Sequence, residues 1–403
     1  MMKKFSTLAT FFLAQAFVAA DVTGDLETWD SIFASRDFQV LVHAQASGLV
    51  STEGPVLTND GGEDEMLFFS DNNIAKIYSI DLHKAIQDRE QDKTNSDARN
   101  ILNRHLHVVK ERSGDCPREE DHWRAEPGGN GLALLSHTPR ELVMCQHGAR
   151  RLVVMDPETG ETRPVASEFR GKRLNGPNDV VVRSEKNGDL FAYFTDPVYA
   201  WLEKDRFEDL PYLDEQVKIH GPGHSGVYRV KLTEDGDIKN DVELIASDMK
   251  RPNGIGFFRG DNLIVTDCCQ GSHLDGCKSG TSRWRIFVHQ EQSWIHNVTI
   301  EDTVPADAAA GGCADGFTAY DYVDSKGMRK HVLIASCFGG LCIVDVESGV
   351  VLSRMWTLRE QGGCRISNIA VGKEYAFLTG SCGILTVPLV QRQSNKDSLH
   401  AEL

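Results

Sequence analysis

The chain has 403 residues, with 43 Lys or Arg against 59 Asp or Glu, which gives a formal net charge of −16 at pH 7. A surface this acidic repels the phosphates of nucleic acids and the headgroups of anionic lipids, so we expect neither nucleic acid nor a membrane as a partner of the mature protein. The length allows two ordinary domains or one large domain built from repeats.

Residues 1–20 have the features of a secretory signal peptide. Two lysines precede a mostly apolar run that ends in the small residues Ala19 and Ala20. The run is shorter than the roughly 18 residues of a membrane-spanning helix, so we favour a cleaved signal over a membrane anchor or a buried helix. We therefore expect a secreted protein, and the sequon at Asn297 fits a glycoprotein.

Ten cysteines in a chain that enters an oxidising compartment predict disulfide bonds. Cys337 and Cys342 flank the sequence FGGL between two strand-like runs, and they are the local pair that we predict. A zinc site is the alternative, but the sequence has neither CxxC…CxxC nor CxxC…HxxxH spacing.

A polar residue followed by an alternating apolar run occurs six times, and each copy leads into further short strand-like runs separated by glycine-rich turns. The copies are EGPVL at Glu53, NGLAL at Asn130, NDVVV at Asn178, NGIGF at Asn253, DGFTA at Asp315 and SNIAV with Asn368. This recurrence is typical of a β-propeller. A pair of β-sandwiches would have no reason to repeat a polar residue at the start of one strand. We predict an all-β, six-bladed β-propeller with a central metal-binding channel.

The propeller is expected to form one domain over residues 21–391, followed by a polar tail at 392–403. Residues of about 82–129 are strongly polar, and we interpret them as an insertion between the first two blades, with one helix around 98–108. Residues 38–44 alternate like a strand and would add an outer strand to the last blade. This pairing would close the ring and remove an exposed sheet edge.

Equivalent residues of the innermost strands converge on the axis of a propeller. Glu53, Asn178, Asn253 and Asp315 would then offer four oxygen ligands with two negative charges, while the glycine that follows most of these positions would let the backbone turn tightly. An all-oxygen set favours one or two Ca²⁺ ions over Mg²⁺ or Zn²⁺. The alternative is that these side chains only cap strands, but two carboxylates held close without a cation repel each other.

A divalent ion with open coordination positions favours hydrolysis of an ester-like bond. His147 ends the second strand of the second blade and is a candidate proton acceptor or relay near neutral pH. The alternative for His147 is a turn histidine bonded to the backbone. The sequence contains no G-x-S-x-G elbow, so acyl-enzyme chemistry lacks support.

At these motifs the sequence resembles the family of gluconolactonases, senescence marker proteins and luciferin-regenerating enzymes. The matching segments are EGPVL, CQHGARR, LNGPNDVVV with YFTDPVY, GVYRV with RPNGIGF, and ADGFTA. The resemblance implies a six-bladed propeller with a calcium ion in its channel, and it implies roles for eight residues. The implied metal ligands are Glu53, Asn178, Asn253 and Asp315, with Asp315 also a proton acceptor, and the implied substrate-facing residues are Asn130, His147, Tyr199 and Trp201.

Three departures from the family pattern surround the expected pocket. Leu57 replaces a bulky residue after EGPV, the YFTDP loop continues as VYAW, and the insertion after the first blade is long and charged. They affect the identity of the substrate more than the binding of a metal.

We therefore expect a secreted, calcium-dependent hydrolase of lactones. One alternative is a metal-dependent hydrolase of aryl esters or phosphotriesters, which parallel rates on both substrate classes would reveal. A second alternative is a ligand-binding propeller with a structural calcium ion, because fold alone does not determine chemistry.

Overall fold

Six antiparallel sheets make up most of the part of the chain that the computed structural model describes. That part comprises residues 17–18, 21–58, 65–91, 105–117, 124–137, 140–203, 210–232, 242–268, 281–290, 293–303, 313–357 and 363–391. The predicted signal peptide, apart from residues 17–18, and the predicted polar tail at 392–403 lie outside the described residues. None of the described helices is long and apolar enough to cross a membrane.

Five short elements precede the first blade. They are β1 (Phe17–Val18), β2 (Asp21–Gly24), α1 (Leu26–Ile32), β3 (Phe38–His43) and α2 (Ala44–Ser47). Helix α1 begins after Asp25, whose carboxylate accepts hydrogen bonds from the backbone N–H groups of Glu27 and Thr28, so the first turn of the helix is capped.

The first three blades each contain four strands in chain order from the inside outwards. Blade 1 consists of β4 (Thr52–Thr58), β5 (Met66–Asp71), β6 (Lys76–Asp81) and β7 (Leu106–Glu111), with α3 (Leu82–Gln91) between its last two strands. Blade 2 consists of β8 (Leu132–His137), β9 (Arg140–Gln146), β10 (Arg151–Met155) and β11 (Thr162–Ala166). After a small hairpin of β12 (Glu168–Phe169) and β13 (Lys172–Arg173), blade 3 consists of β14 (Val180–Ser184), β15 (Leu190–Asp196), β16 (Gly226–Lys231) and β17 (Glu243–Ala246).

A 3₁₀ helix (Tyr199–Trp201) and α4 (Leu210–His220) lie between β15 and β16. Blade 4 consists of β18 (Pro252–Phe258), β19 (Asn262–Asp267), β20 (Thr281–Gln290) and β21 (Ser293–Thr303). Blade 5 consists of β22 (Phe317–Val323), β23 (Arg329–Cys337), β24 (Gly340–Asp345) and β25 (Val350–Trp356), and blade 6 of β26 (Ile366–Val371), β27 (Tyr375–Gly380) and β28 (Gly383–Pro388).

The six inner strands form a closed ring. Each packs on the inner strand of the next blade, and β26 of the last blade packs on β4 of the first. The N-terminal strand β3 pairs antiparallel with β28 as the fourth strand of blade 6, with the short β1 on its outer side, while β2 pairs with β25 of blade 5. The predicted six-bladed propeller and its closure by residues 38–44 are both confirmed.

The core lies between neighbouring blades because each strand has apolar side chains on both faces. Val154 of blade 2 packs in one cluster with Phe194 and Tyr228 of blade 3. A second cluster joins Ile343 of blade 5 to Leu378 of blade 6. Full burial of one such side chain contributes roughly 1.5–3 kcal/mol, so the interfaces between blades hold the ring together.

The helix expected around residues 98–108 is wrong in the part that the structure describes. Residues 106–111 form β7, which pairs with β6 and supplies the fourth strand of blade 1. Among the described residues of this region, α3 immediately follows β6, and residues 98–104 lie outside the described part of the chain. Pairing with β6 therefore determines a strand here, despite the polar composition of the segment.

Three disulfides are present among the described residues. The predicted pair Cys337–Cys342 is confirmed. Cys268–Cys313 connects the end of β19 to the segment before β22, and so joins blades 4 and 5. Cys364–Cys382 connects two turns of blade 6.

Candidate functional site

The starts of the inner strands meet at one mouth of the channel. The Gly131 N–H donates to the Asn178 carbonyl at 2.7 Å, which joins blades 2 and 3. The Thr195 hydroxyl donates to the Asn253 carbonyl at 2.7 Å, which joins blades 3 and 4. The polar positions of the sequence repeat therefore lie around a common opening.

The glycines that follow these polar residues allow neighbouring blades to approach each other. A Cβ on Gly131 would lie 2.4 Å from Oδ1 of Asp179, and a Cβ on Gly254 would lie 2.3 Å from the carbonyl oxygen of Asp315. Neither glycine has a positive φ, whereas Gly54 does, at 52°. The expectation that glycine serves a tight turn is therefore wrong for Gly131 and Gly254, where the close approach of the next blade excludes a side chain.

Glu53 of blade 1 and Asp315, just before the inner strand of blade 5, interact electrostatically at this mouth. Burial and the nearby Asp315 carboxylate raise the pKa of Glu53 well above its usual value. Burial raises the pKa of Asp315 to about 8, although the charge of Arg365 opposes this shift. Both groups therefore favour protonation unless a cation neutralises them.

Two further carboxylates reach the same place. Burial raises the pKa of Asp179 to about 7, and its Oδ2 accepts hydrogen bonds from the Ile255 N–H at 3.3 Å and the Asn368 amide at 3.5 Å. Burial also raises the pKa of Glu126, in the segment before β8, to about 7. Both carboxylates act electrostatically on Asp315.

Sequence reasoning missed these two residues and Arg365. Asp179 directly follows a repeat position in NDVVV and could have been found there, whereas Glu126 and Arg365 lie in segments that do not repeat. The Arg365 guanidinium donates to the Ser51 hydroxyl at 3.1 Å, and its charge lowers the pKa of both Glu126 and Asp315.

The excess of negative charge at the mouth fits a bound cation. Glu53, Glu126, Asp179 and Asp315 supply four carboxylates, against which Arg365 supplies one positive charge. In the described part of the chain, no group of three or more His, Cys, Asp or Glu side chains is arranged to hold a metal. The predicted ligand set contains two such residues, Glu53 and Asp315. Its other two oxygens would come from the side-chain amides of asparagines in blades 3 and 4.

Asn178 and Asn253 stand at the starts of blades 3 and 4, and both are buried. The Asn178 N–H donates to the Thr195 carbonyl at 2.8 Å, and the Thr195 hydroxyl in turn donates to the Asn253 carbonyl. Asn130 is likewise buried before β8, and its N–H donates to the Cys145 carbonyl at 2.9 Å. Backbone hydrogen bonds thus fix all three asparagines at the ends of inner strands.

His147 directly follows β9 and is fully buried. Neither ring nitrogen makes a hydrogen bond of good geometry among the described residues, although the backbone of Tyr199 interacts with the ring. Burial and the positive charge of Arg124 lower the pKa of His147 to about 3, so its imidazole is neutral at physiological pH. The ring lies near Gly176, where an added Cβ would be 3.4 Å from Nε2.

Tyr199 and Trp201 lie in the 3₁₀ helix after β15 and differ in their surroundings. The Tyr199 hydroxyl is buried without a hydrogen-bond partner in the described structure, near the charges of Arg251 and Asp315. Trp201 packs behind it against Val217 of α4, and the Arg150 guanidinium lies 4.3 Å from its ring centre. The Tyr199 hydroxyl therefore interacts electrostatically with charged residues of the mouth, whereas the Trp201 ring packs in the apolar cluster with α4.

No family model matches the chain. A gluconolactonase from Zymomonas mobilis is 33% identical over 130 residues, which cover 32% of this chain and 30% of that protein, so the chain spans less than a third of the curated relative that it matches. A solved gluconolactonase from Xanthomonas campestris has a TM-score of 0.56 at 21% identity, covering 92% of this chain and 95% of that one. The PQQ-bound aldose sugar dehydrogenase of Streptomyces coelicolor has a TM-score of 0.51 at 14% identity, covering 93% and 99%.

The two solved structures show the fold alone, and the dehydrogenase among them illustrates that a shared fold does not set the reaction. The local identity to the Zymomonas protein agrees with the motifs found in the sequence. The chain folds as a six-bladed β-propeller, and its sequence motifs resemble those of the gluconolactonase family.

Proposed function

We propose that the protein hydrolyses lactones at the mouth of its channel. The observation that carries the proposal is the meeting of Glu53 and Asp315, from blades 1 and 5, in one buried group of carboxylates. The segment of 33% identity to a gluconolactonase supports a lactone as the substrate.

Glu53, Asn178, Asn253 and Asp315 would hold a divalent cation. Their ligand atoms are all oxygens, which favours Ca²⁺. A bound cation of this kind polarises a carbonyl oxygen and lowers the pKa of water. The raised pKa values of the carboxylates support a cation here, because a nearby positive charge stabilises their ionised forms.

Asp315 is our candidate for the group that accepts a proton from the attacking water. Its raised pKa makes the Asp315 carboxylate a stronger proton acceptor than His147, whose pKa of about 3 opposes protonation. The neutral His147 ring would instead accept a hydrogen bond from the substrate. Asn130 and Tyr199 would contact the substrate from blades 2 and 3, while Trp201 would hold the Tyr199 loop in place.

The experiment is a rate comparison on an aliphatic lactone, an aryl ester and a phosphotriester. We expect the lactone to have the largest kcat/KM, and Asp315→Asn to reduce it by about 100-fold or more, as loss of a general base does. Asp30→Asn, which removes a carboxylate from an exposed ion pair with Arg36, is the matched control and should be neutral. Faster turnover of the aryl ester or phosphotriester would favour the alternative hydrolase, and no turnover at all would favour a binding propeller.

We also propose that the protein is secreted. The predicted signal peptide and the three disulfides of the described residues support an oxidising compartment. Asn297 of the sequon is exposed on the outer strand β21, where a glycan could be attached. N-terminal sequencing of protein collected outside the producing cells should begin near residue 21, and retention of residues 1–20 would contradict the proposal.

A further inference from the structure

The hydroxyl of Tyr199 is a buried hydrogen-bond donor without an acceptor among the described residues. It lies near the carboxylate of Asp315, the predicted proton acceptor, and near that of Glu126. A buried polar atom without a partner costs about 1–3 kcal/mol, so a folded protein keeps one where a ligand atom can satisfy it.

Arg251 supplies a positive charge beside this hydroxyl. The residue is 5% exposed, and its Nη1 donates to the Lys250 carbonyl at 3.3 Å and lies 3.8 Å from Oδ1 of Asp214. Its Nη2 has no hydrogen-bond partner in the described part of the chain. Burial raises the pKa of the Tyr199 phenol well above its usual value, and the positive charge of Arg251 opposes that rise.

The loop that carries Tyr199 is held firmly. Within the 3₁₀ helix, the Leu202 N–H donates to the Tyr199 carbonyl at 2.9 Å, and the Arg124 guanidinium donates to the Ala200 carbonyl at 2.9 Å. Trp201, covered by the Arg150 guanidinium, packs beneath the loop. The phenol is therefore preorganised, which is what a group that acts in a transition state requires.

Hydrolysis of a lactone needs a proton donor as well as an acceptor. The oxygen of water forms a bond to the carbonyl carbon while Asp315 takes its proton, and the bond from that carbon to the ring oxygen then breaks. The ring oxygen leaves as an alkoxide, whose conjugate acid has a pKa near that of water at about 15.7, so it must be protonated. Because burial raises the pKa of Tyr199, its phenol is protonated at neutral pH and can donate a proton to this strongly basic oxygen.

We propose that Tyr199 is the general acid that protonates the departing ring oxygen, with Arg251 stabilising the phenolate that results. The inference rests on the proposed lactone hydrolysis. The phenolate regains its proton from Asp315 through solvent, so the net reaction is lactone plus water to hydroxy acid, and no other reactant is consumed.

The test compares two leaving groups in the same protein. Glucono-δ-lactone releases an aliphatic alkoxide, whereas dihydrocoumarin and phenyl acetate release a phenolate, which departs without protonation. We expect Tyr199→Phe to reduce kcat/KM on the aliphatic lactone by about 100- to 10,000-fold, the usual contribution of a general acid, and to leave the aryl substrates within about threefold. Arg251→Gln should show the same selectivity with a smaller loss.

Tyr212→Phe is the matched control. Tyr212 lies on α4 in the cluster beneath the loop, and its hydroxyl donates to Glu203 at 2.5 Å. Removing that hydroxyl should change neither rate, and the thermal midpoints of both phenylalanine variants should stay close to that of the wild type.

Equal losses on aliphatic and aryl substrates in Tyr199→Phe would overturn the inference, because a residue that only positions the substrate affects both. Undiminished hydrolysis of glucono-δ-lactone would overturn it as well. A wild-type protein that hydrolyses none of the three substrates would instead remove the proposed function, on which the inference depends.

Discussion

The charged side chains at the mouth are balanced only in part. Glu53, Glu126, Asp179 and Asp315 interact within one buried region, and Arg365 neutralises a single charge. In the metal-free protein, protons can neutralise the remaining carboxylates, because the pKa values of these groups are raised. A divalent cation would release those protons, so binding of the cation and of protons should compete.

This competition predicts that the metal-free protein loses stability as the pH rises. In the folded state the pKa of Asp315 is about 8 and that of Asp179 about 7, both above the ordinary value of 3.8. Between about pH 4 and pH 8 the folded state therefore binds more protons than the unfolded state, and the free energy of unfolding falls with pH. Urea unfolding with a chelator at pH 5, 6.5 and 8 measures this.

The matched variant is Asp179→Asn, which removes one carboxyl group with a raised pKa. The free energy of unfolding of this variant should fall less steeply with pH. Added calcium should flatten the decline too. A free energy of unfolding that increases from pH 5 to pH 8 in chelator would contradict the charge balance described for the mouth.

At the same scale, the sequence could predict some residues and not others. Glu53 and Asp315 occupy equivalent positions of a repeat, so symmetry alone brings them together. Asp179 also bonds the backbone of blade 4, through the Ile255 N–H, and such a cross-blade contact leaves no trace in spacing. The fall in the pKa of His147 arises from burial, which a motif does not reveal.

At the scale of the elements, the inner strands are positioned by close backbone contacts. Each strand start must approach the next blade, so a side chain is excluded where the two backbones meet. Apolar alternation predicted the strands themselves, and the same alternation explains why they pack into clusters between blades. Composition misled at β7, where pairing with β6 selected a strand within a polar segment.

Gly254→Ala tests this account of the inner strands. The new Cβ would lie 2.3 Å from the Asp315 carbonyl oxygen and 2.8 Å from Cα of Gly316, both backbone atoms that cannot rotate away. We expect a loss of about 1–3 kcal/mol in the free energy of unfolding, as in other overpacked sites, measured by urea unfolding.

Gly372→Ala is the control, because its nearest neighbours are side-chain atoms at 3.3 Å and beyond. It should cost less than Gly254→Ala. Equal costs for the two substitutions would show that close approach of the blades is not the reason for glycine at 254.

At the scale of the whole molecule, the ring is closed by β3 on β28, and one disulfide joins two blades close to the mouth. Cys313 lies two residues before Asp315, so the Cys268–Cys313 bond restrains a proposed ligand as well as the fold. The six repeats made the closed ring predictable, but the partner of Cys313 was not, because ten cysteines allow many pairings.

Replacing both Cys268 and Cys313 by serine should destabilise the protein by roughly 4 kcal/mol, because this bond closes a loop of 45 residues in the unfolded chain. The control replaces Cys337 and Cys342, which close a loop of only 5 residues and should cost roughly 2 kcal/mol. The free energies of unfolding of the two double variants measure the difference. A larger loss in the control would contradict the role assigned to the bond between blades.

The most direct test of the central claim is a calcium titration of chelator-treated protein, in which heat of binding and lactone hydrolysis are followed on the same sample. If the side chains at the inner strand starts hold a cation that serves the reaction, both signals will rise together to saturation, and Glu53→Gln will weaken both. Full lactone hydrolysis before any calcium is added, or saturable binding that Glu53→Gln leaves unchanged, would contradict the claim.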